Sequence, residues 1–416
     1  MTVSAAAGPI ETANRSARKP ALGSSADGAQ SVLIICDSLP GALTSCAQML
    51  DSLRRELQSQ GHTVRVVGIG SEPHVRGAKH SVFSRWLKSE RLAVRALAEA
   101  ACALYLSLKL VVAVKRKAID PPTLVVLYVP SIFLALPAVT IKKLCGAPLF
   151  LIQRDIVPDW LIASGRVRPG PATQLLFAIK NFTLRYASTI GIECEENIAF
   201  IPEQYQSKTL VLDNWRNFDD NRAPPRTFHS PCFFIYGGRI GVAQGFDRFL
   251  SAFLSVATAE RLRVHCDERG RDALNGMPSV SAQHTRVCVS PMLAEADFLT
   301  AATQASYGLV CLAPEMKTHN IPGKLLAYLA AGIPVFAVGV AGSALHRLIE
   351  ELNCGVFASA DSPRDITENI WRVTSDAALR RAHRVGIDAA RQRFRVQTAA
   401  DTILATLLNT SSKPRD

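Results

Sequence analysis

Residues 31–70 read SVLIICDSLPGALTSCAQMLDSLRRELQSQGHTVRVVGIG. The opening SVLIICD is an apolar run of strand length. Ala42 to Gly61 then carries apolar residues at helical spacing and stops at a glycine, after which HTVRVVGIG returns to strand character. This order makes a βαβ unit, in which two parallel strands are joined through a covering helix.

The same rhythm continues on both sides of one interruption. Strand-like runs follow at TLVVLYV (123–129), APLFLIQ (147–153), STIGI (188–192) and TLVLD (209–213), each separated by helix-compatible sequence. NFDDNRAPPRTFHSP (217–231) breaks the pattern with polar residues and prolines and reads as an interdomain linker. Alternation then resumes at CFFIYGG, LRVHCDE, TRVCVS, SYGLVCL, IPVFAV and CGVFAS, between Cys232 and Ser359. Strands that are apolar throughout belong to parallel sheets covered on both faces. The expected fold is α/β, with two doubly wound, Rossmann-like domains in tandem. The divisions are a disordered tail over 1–30, a first domain over 31–216, the linker over 217–231, a second domain over 232–395, and a C-terminal helix and tail over 396–416.

Composition agrees with two cores and limits the partners. The chain has 416 residues, of which 48% are hydrophobic, more than one core normally accommodates. Lys and Arg number 47 against 35 Asp and Glu, a net charge of +12 that favours anionic partners. Basic residues are not interleaved with an aromatic platform, so nucleic acid is the weakest of these. The ten cysteines form no CxxC pair and no Cys/His cluster, which suggests neither zinc nor a disulfide framework and fits a reducing cytoplasm. The first thirty residues lack the apolar core of a secretory signal. No run offers roughly 20 uninterrupted apolar residues; the nearest, Ala100 to Val114, contains Lys109.

In doubly wound folds ligands bind beyond the carboxyl ends of the strands, often with phosphate at a helix N-terminus. Two places in the second half have that form. In YGGRIGVAQGFDRFLSAFL (236–254) a strand ends in Gly237 and Gly238, Arg239 projects from the loop, and a helix begins near Gln244. In NIPGKLLAYLAAGIPVF (320–336), Gly323 permits close backbone approach and Lys324 adds positive charge at a helix mouth. The two could clamp a diphosphate. Equally, Gly-Gly can be a plain tight turn and Lys324 a solvated lysine.

GGRIGVAQGFDRFL, YGLVCLAPE and NIPGKLLAYLAAGIPV together resemble the donor half of retaining GT-B glycosyltransferases of family four, in the bacterial branch that builds O-antigens, capsules and exopolysaccharides. LIQRDIVPDW (151–160) is similar to that branch's "D-x-x-P" segment and LDNWRN (212–217) to its "N-W" segment. The resemblance covers about residues 31 to 410. It implies an acceptor domain and a donor domain facing across a cleft, and transfer of a sugar from a nucleotide-sugar to a lipid-linked or polysaccharide acceptor, with retention and without a metal or other cofactor. Gly238, Gly323, Lys324 and Arg239 would meet the diphosphate, with Leu325 and Asn320 beside them. The acceptor chemistry implies a peripheral enzyme on the inner face of the cell membrane.

The sequence departs from that pattern at several points. Gln244 stands where relatives have a lysine, and DSLPGALTS (37–45) has Pro40-Gly41 where paired glycines are usual. Two glutamates with seven residues between them are replaced by His319 and Ala327. Ala327 cannot accept hydrogen bonds from ribose hydroxyls, which leaves Glu315 or another loop group for that task. His319 could contact the donor sugar or phosphate, or be an exposed loop histidine. Asp155 is the candidate for positioning the acceptor hydroxyl; it could also cap a helix or pair with Arg154. These departures keep open a non-catalytic partner subunit that retains the fold. A non-hydrolysing 2-epimerase would share the architecture, but its acidic and histidine groups find no place here.

The segment FSRWLKSERLAVRALAEAACALYLSLKLVVAVKRK (83–117) is the membrane candidate. Phe83, Trp86, Leu87, Val94, Leu97 and Leu104 share one helical face, and Arg85, Lys88, Arg91 and Arg95 form a stripe on another. Such a helix can lie on an anionic bilayer, with Lys115, Arg116 and Lys117 at its headgroups; it can also be an ordinary domain helix with a solvated basic side.

Overall fold

The computed structural model describes residues 28–37, 45–68, 92–129, 131–154, 156–163, 167–218, 233–282, 285–315 and 321–411. In the first half these form β1 (Ser31–Cys36), α1 (Ser45–Ser59), β2 (Thr63–Gly68), α2 (Leu92–Lys115), β3 (Leu124–Val129), α3 (Ala135–Cys145), β4 (Leu149–Gln153), α4 (Pro171–Tyr186), β5 (Thr189–Ile192) and β6 (Thr209–Val211). The second half adds β7 (Phe233–Gly237), α5 (Phe246–Ser255), β8 (Arg261–Cys266), α6 (Glu268–Asn275), β9 (Val287–Pro291), α7 (Glu295–Ala302), β10 (Tyr307–Cys311), α8 (Gly323–Ala331), β11 (Val335–Gly339), α9 (Ala344–Leu352), β12 (Gly355–Ser359), α10 (Pro363–Ser375), α11 (Ala377–Arg393) and α12 (Val396–Ser411). Every strand segment read from the sequence corresponds to one of these strands.

The strands assemble into two sheets, ordered β2-β1-β3-β4-β5-β6 and β12-β11-β10-β7-β8-β9, with every pairing parallel. Each order reverses once, at β1/β3 and at β7/β10, and a reversal of this kind opens a crevice at the carboxyl ends. Burial on both faces explains the unbroken apolar runs. On β1, Leu33 and Ile35 join one core while Val32, Ile34 and Cys36 join another. In the second sheet Phe234, Phe249, Phe253 and Phe336 pack edge-on in one layer, and α7, α8, α9 and α11 cover the other.

Two details position the site. Helix α8 is preceded by Pro322, in extended conformation, and capped by Gly332, whose φ of 74° closes the helix so that Pro334 can lead into β11. The last helix, α12, turns back to the first sheet, where Val396, Ala399, Ala400 and Ile403 pack with Leu50, Leu53 and Leu57 of α1. The two halves are thereby held by more than the linker.

Candidate functional site

The carboxyl end of β7 and the mouth of α8 meet. Gly238 has a φ of 124°, a backbone conformation that disfavours any side chain, and Lys324 lies directly across it. A Cβ on Gly238 would stand 2.7 Å from Lys324 Cε. Its neighbour Gly237 is needed for a different reason, because a Cβ there would fall 2.3 Å from the Phe298 ring of α7. The paired glycines are therefore more than a tight turn: one admits an aromatic floor and the other a lysine.

Lys324 is half-buried and its Nζ donates to Tyr236 Oη at 2.8 Å, 4.4 Å from the centre of the same ring. Tyr236 Oη in turn donates to the Arg239 carbonyl at 2.6 Å, so one hydrogen-bonded chain links Lys324, Tyr236 and Arg239. Tyr328, one turn along α8, accepts from the Gly237 N–H at 3.3 Å and donates to the Leu309 carbonyl at 3.1 Å, which fastens the helix to the end of β7 and the middle of β10. Burial draws the Lys324 ammonium down from the usual 10.5 to about 8, since the charged form loses water and gains only a neutral hydroxyl. A partly desolvated cation at a helix N-terminus, with two N–H groups to spare, is suited to an anion.

The remaining sequence candidates fall around this centre. Arg239 is exposed beside Gly238, its guanidinium without a partner among the described residues. Gln244 ends a short 3-10 turn, Val242–Gln244, and α5 starts only at Phe246, after Gly245 at φ 54°; the helix begins later than the sequence suggested. Glu315 pairs with Arg248 of α5 at 3.4 Å and lines a separate hollow of about 360 Å³ with Ile240, Val242 and Met277. The Leu325 side chain is wholly buried in the core beneath α8, so only its backbone is near the mouth, and its N–H donates to the Pro322 carbonyl. Asp155, His319 and Asn320 lie outside the described residues, as do most of DSLPGALTS and Phe83, Arg85, Trp86, Leu87, Lys88 and Arg91.

Between the two sheets lies a cleft of about 440 Å³, bounded by Met49, Tyr128, Arg154 and Glu193 on one side and by Ile321, Gly323 and Leu326 on the other. Arg154 is buried, its Nη atoms donating to the Leu212 and Asp213 carbonyls at 2.8 and 3.2 Å. Sequence reading did not find Tyr236, Phe298 or Glu193. Tyr236 precedes the glycine pair directly, and that adjacency is the one signal that could have marked it.

No model of a known protein family matches the chain, and no curated protein sequence does. Solved structures match over nearly the whole length. Sucrose-phosphate synthase from Thermosynechococcus elongatus aligns with a TM-score of 0.67 at 14% identity, over 92% of this chain and 100% of that one. HepE from Anabaena in complex with UDP gives 0.62 at 15%, over 91% and 100%. The lipopolysaccharide outer core galactosyltransferase WaaB, in its apo form, gives 0.58 at 13%, over 92% and 100%. With two six-stranded parallel sheets facing a cleft, the chain has the GT-B fold of these glycosyltransferases.

Proposed function

We propose that the protein is a retaining glycosyltransferase of the family-four type, moving a sugar from a nucleotide-sugar to a lipid-linked or polysaccharide acceptor in surface polysaccharide synthesis. The observation that carries the reading is Lys324 laid across Gly238 at the mouth of α8. There the ammonium meets the helix N-terminus, and the exposed Arg239 follows Gly238 in the same loop, where its guanidinium could reach a diphosphate. As the glycosidic bond breaks, charge grows on the departing nucleoside diphosphate, and cations fixed in a poorly hydrated site stabilise it. This chemistry uses no metal or cofactor. HepE is solved with UDP and with UDP-glucose, which favours a nucleotide-sugar as donor. Incubation with a panel of nucleotide-sugars tests the reading by release of nucleoside diphosphate from one of them, in a reaction lost on Lys324→Ala.

The acceptor side of the proposal places the enzyme on the anionic inner face of the cell membrane. Helix α2 is exposed at Leu97 (73%), Leu104 (54%) and Leu108 (60%), with Lys115, Arg116 and Lys117 exposed at its end. An 18-residue stretch within Val94–Lys115 has a mean hydropathy of 1.9, and by length and composition this helix could cross a membrane, contrary to the sequence expectation, which required an uninterrupted run. Its other side is packed on the first domain through Ala103, Ser107 and Leu110. That suits a helix lying in the interface.

A second reading, a non-catalytic partner subunit, is favoured by Ala327. This half-buried methyl packs against the second core and offers ribose hydroxyls no acceptor. Absence of nucleotide-sugar binding at millimolar concentration, with binding restored by Ala327→Glu, would select that reading.

A further inference from the structure

Asn214 sits in the segment Leu212–Phe218 that leads out of the first sheet, and its single amide nitrogen reaches both halves of the molecule. Nδ2 donates at 2.5 Å to Glu193 Oε1, just beyond β5, and at 2.8 Å to the carbonyl of Ile321, two residues before Gly323. An amide nitrogen has two hydrogens, so both are committed. Glu193 and Ile321 are each 4% exposed, and water cannot readily replace Asn214 at either one.

The segment carrying Asn214 is itself held on several sides. Arg154 binds the carbonyls of Leu212 and Asp213, and its guanidinium lies 5.2 Å from the centre of the Trp215 ring. Trp215 Nε1 donates to the Met49 carbonyl on α1 at 2.8 Å. Arg216 pairs with Glu295 at the start of α7, and its backbone bonds to Phe394 and Val396. A side chain on so fixed a support can set the place of whatever it holds. Here it holds the backbone that opens α8.

We infer that Asn214 is a positioning residue for the diphosphate site: it fixes the mouth of α8 against the end of β5, so that Gly323 and Lys324 meet the donor in register with the first domain. The inference rests on the nucleotide-sugar reading. Small displacements of binding groups are costly, because transfer depends on near-attack geometry.

The test separates this role from ordinary structural support. Asn214→Asp replaces the donating nitrogen by an oxygen facing a carboxylate and a carbonyl, so both contacts are lost. Adding Glu193→Gln restores a donor and acceptor pair between the two side chains but leaves Ile321 O without its N–H. We expect the double variant to melt within ~4 °C of the parent, a difference on the order of one hydrogen bond. Hydrogen exchange over residues 321–326 in the ligand-free double variant should nevertheless be about three- to tenfold faster than in the parent, and affinity for UDP or GDP weaker by a similar factor. Recovery of exchange and affinity together with the melting temperature would overturn the inference. Unchanged exchange at 321–326 overturns it whatever the ligand does. A parent that binds neither UDP nor GDP would instead overturn the donor reading, and the inference with it.

Discussion

Replacing Lys324 by Met should make the protein more stable and less able to bind its donor. The lysine sits half-buried against Tyr236, and burial lowers its pKa from 10.5 to about 8. At 1.36 kcal/mol for each tenfold change in proton affinity, that drop corresponds to about 3 kcal/mol of penalty on the charged form at pH 7. Partial solvent access and the lost contacts with Tyr236 reduce the gain from Met to about 1–2 kcal/mol, or roughly 2–8 °C in melting temperature. The pH dependence identifies the cause. Below pH 8 the folded protein carries the full penalty. Between pH 8 and 10.5 the folded lysine has lost its proton while the unfolded one still holds it, so parental stability rises with pH. Melting curves from pH 6.5 to 10.5 should therefore show the variant ahead at low pH and the two converging near pH 10. A variant less stable than the parent by the same margin at every pH would refute the claim that the ammonium is desolvated.

Other substitutions probe neighbouring parts. Gly238→Ala forces a strained backbone and pushes Lys324 aside, so donor affinity measured by calorimetry should fall by about tenfold, with a loss of stability of roughly 1–2 kcal/mol. Arg239 is exposed, and Arg239→Ala should weaken donor binding without altering the melting temperature beyond about 1 °C. Above pH 8 binding must first recharge Lys324, so nucleoside diphosphate affinity should decline by up to about tenfold per pH unit. On α2, Leu104→Ser with Leu108→Ser should release the protein from anionic liposomes in flotation, since burying each leucine contributes about 1.5–3 kcal/mol; undiminished flotation would place the membrane contact elsewhere.

The strands were legible because burial on both faces leaves no polar alternation to confuse them: LVVLYV and YGLVC are buried at every position. The Gly-Lys pair at α8 was legible as a phosphate-type helix mouth. Its electrostatics was not, because the group that half-buries Lys324 is Tyr236, 88 residues away. The glycine pair could likewise be read only as permissive turn residues until Phe298 and Lys324 were seen lying over them. On α2 the sequence placed an apolar face through Leu97 and Leu104. The exposed face also takes in Tyr105, Leu108 and Val112, because the packing of α3 against α2, invisible in local periodicity, decides which side is covered. Glu193 and the bridging role of Asn214 escaped for the same reason: Asn214 joins Glu193 to Ile321 only after the chain has crossed from one sheet to the other.

The most direct test of the central claim, that Lys324 at the mouth of α8 holds a nucleotide-sugar through its diphosphate, is calorimetric titration of parent and Lys324→Met with UDP and GDP at pH 7. One nucleoside diphosphate should bind the parent, and the variant should bind it at least tenfold more weakly, the loss expected of a charge-assisted contact worth about 1.5–3 kcal/mol. Equal affinity in the two proteins would contradict it.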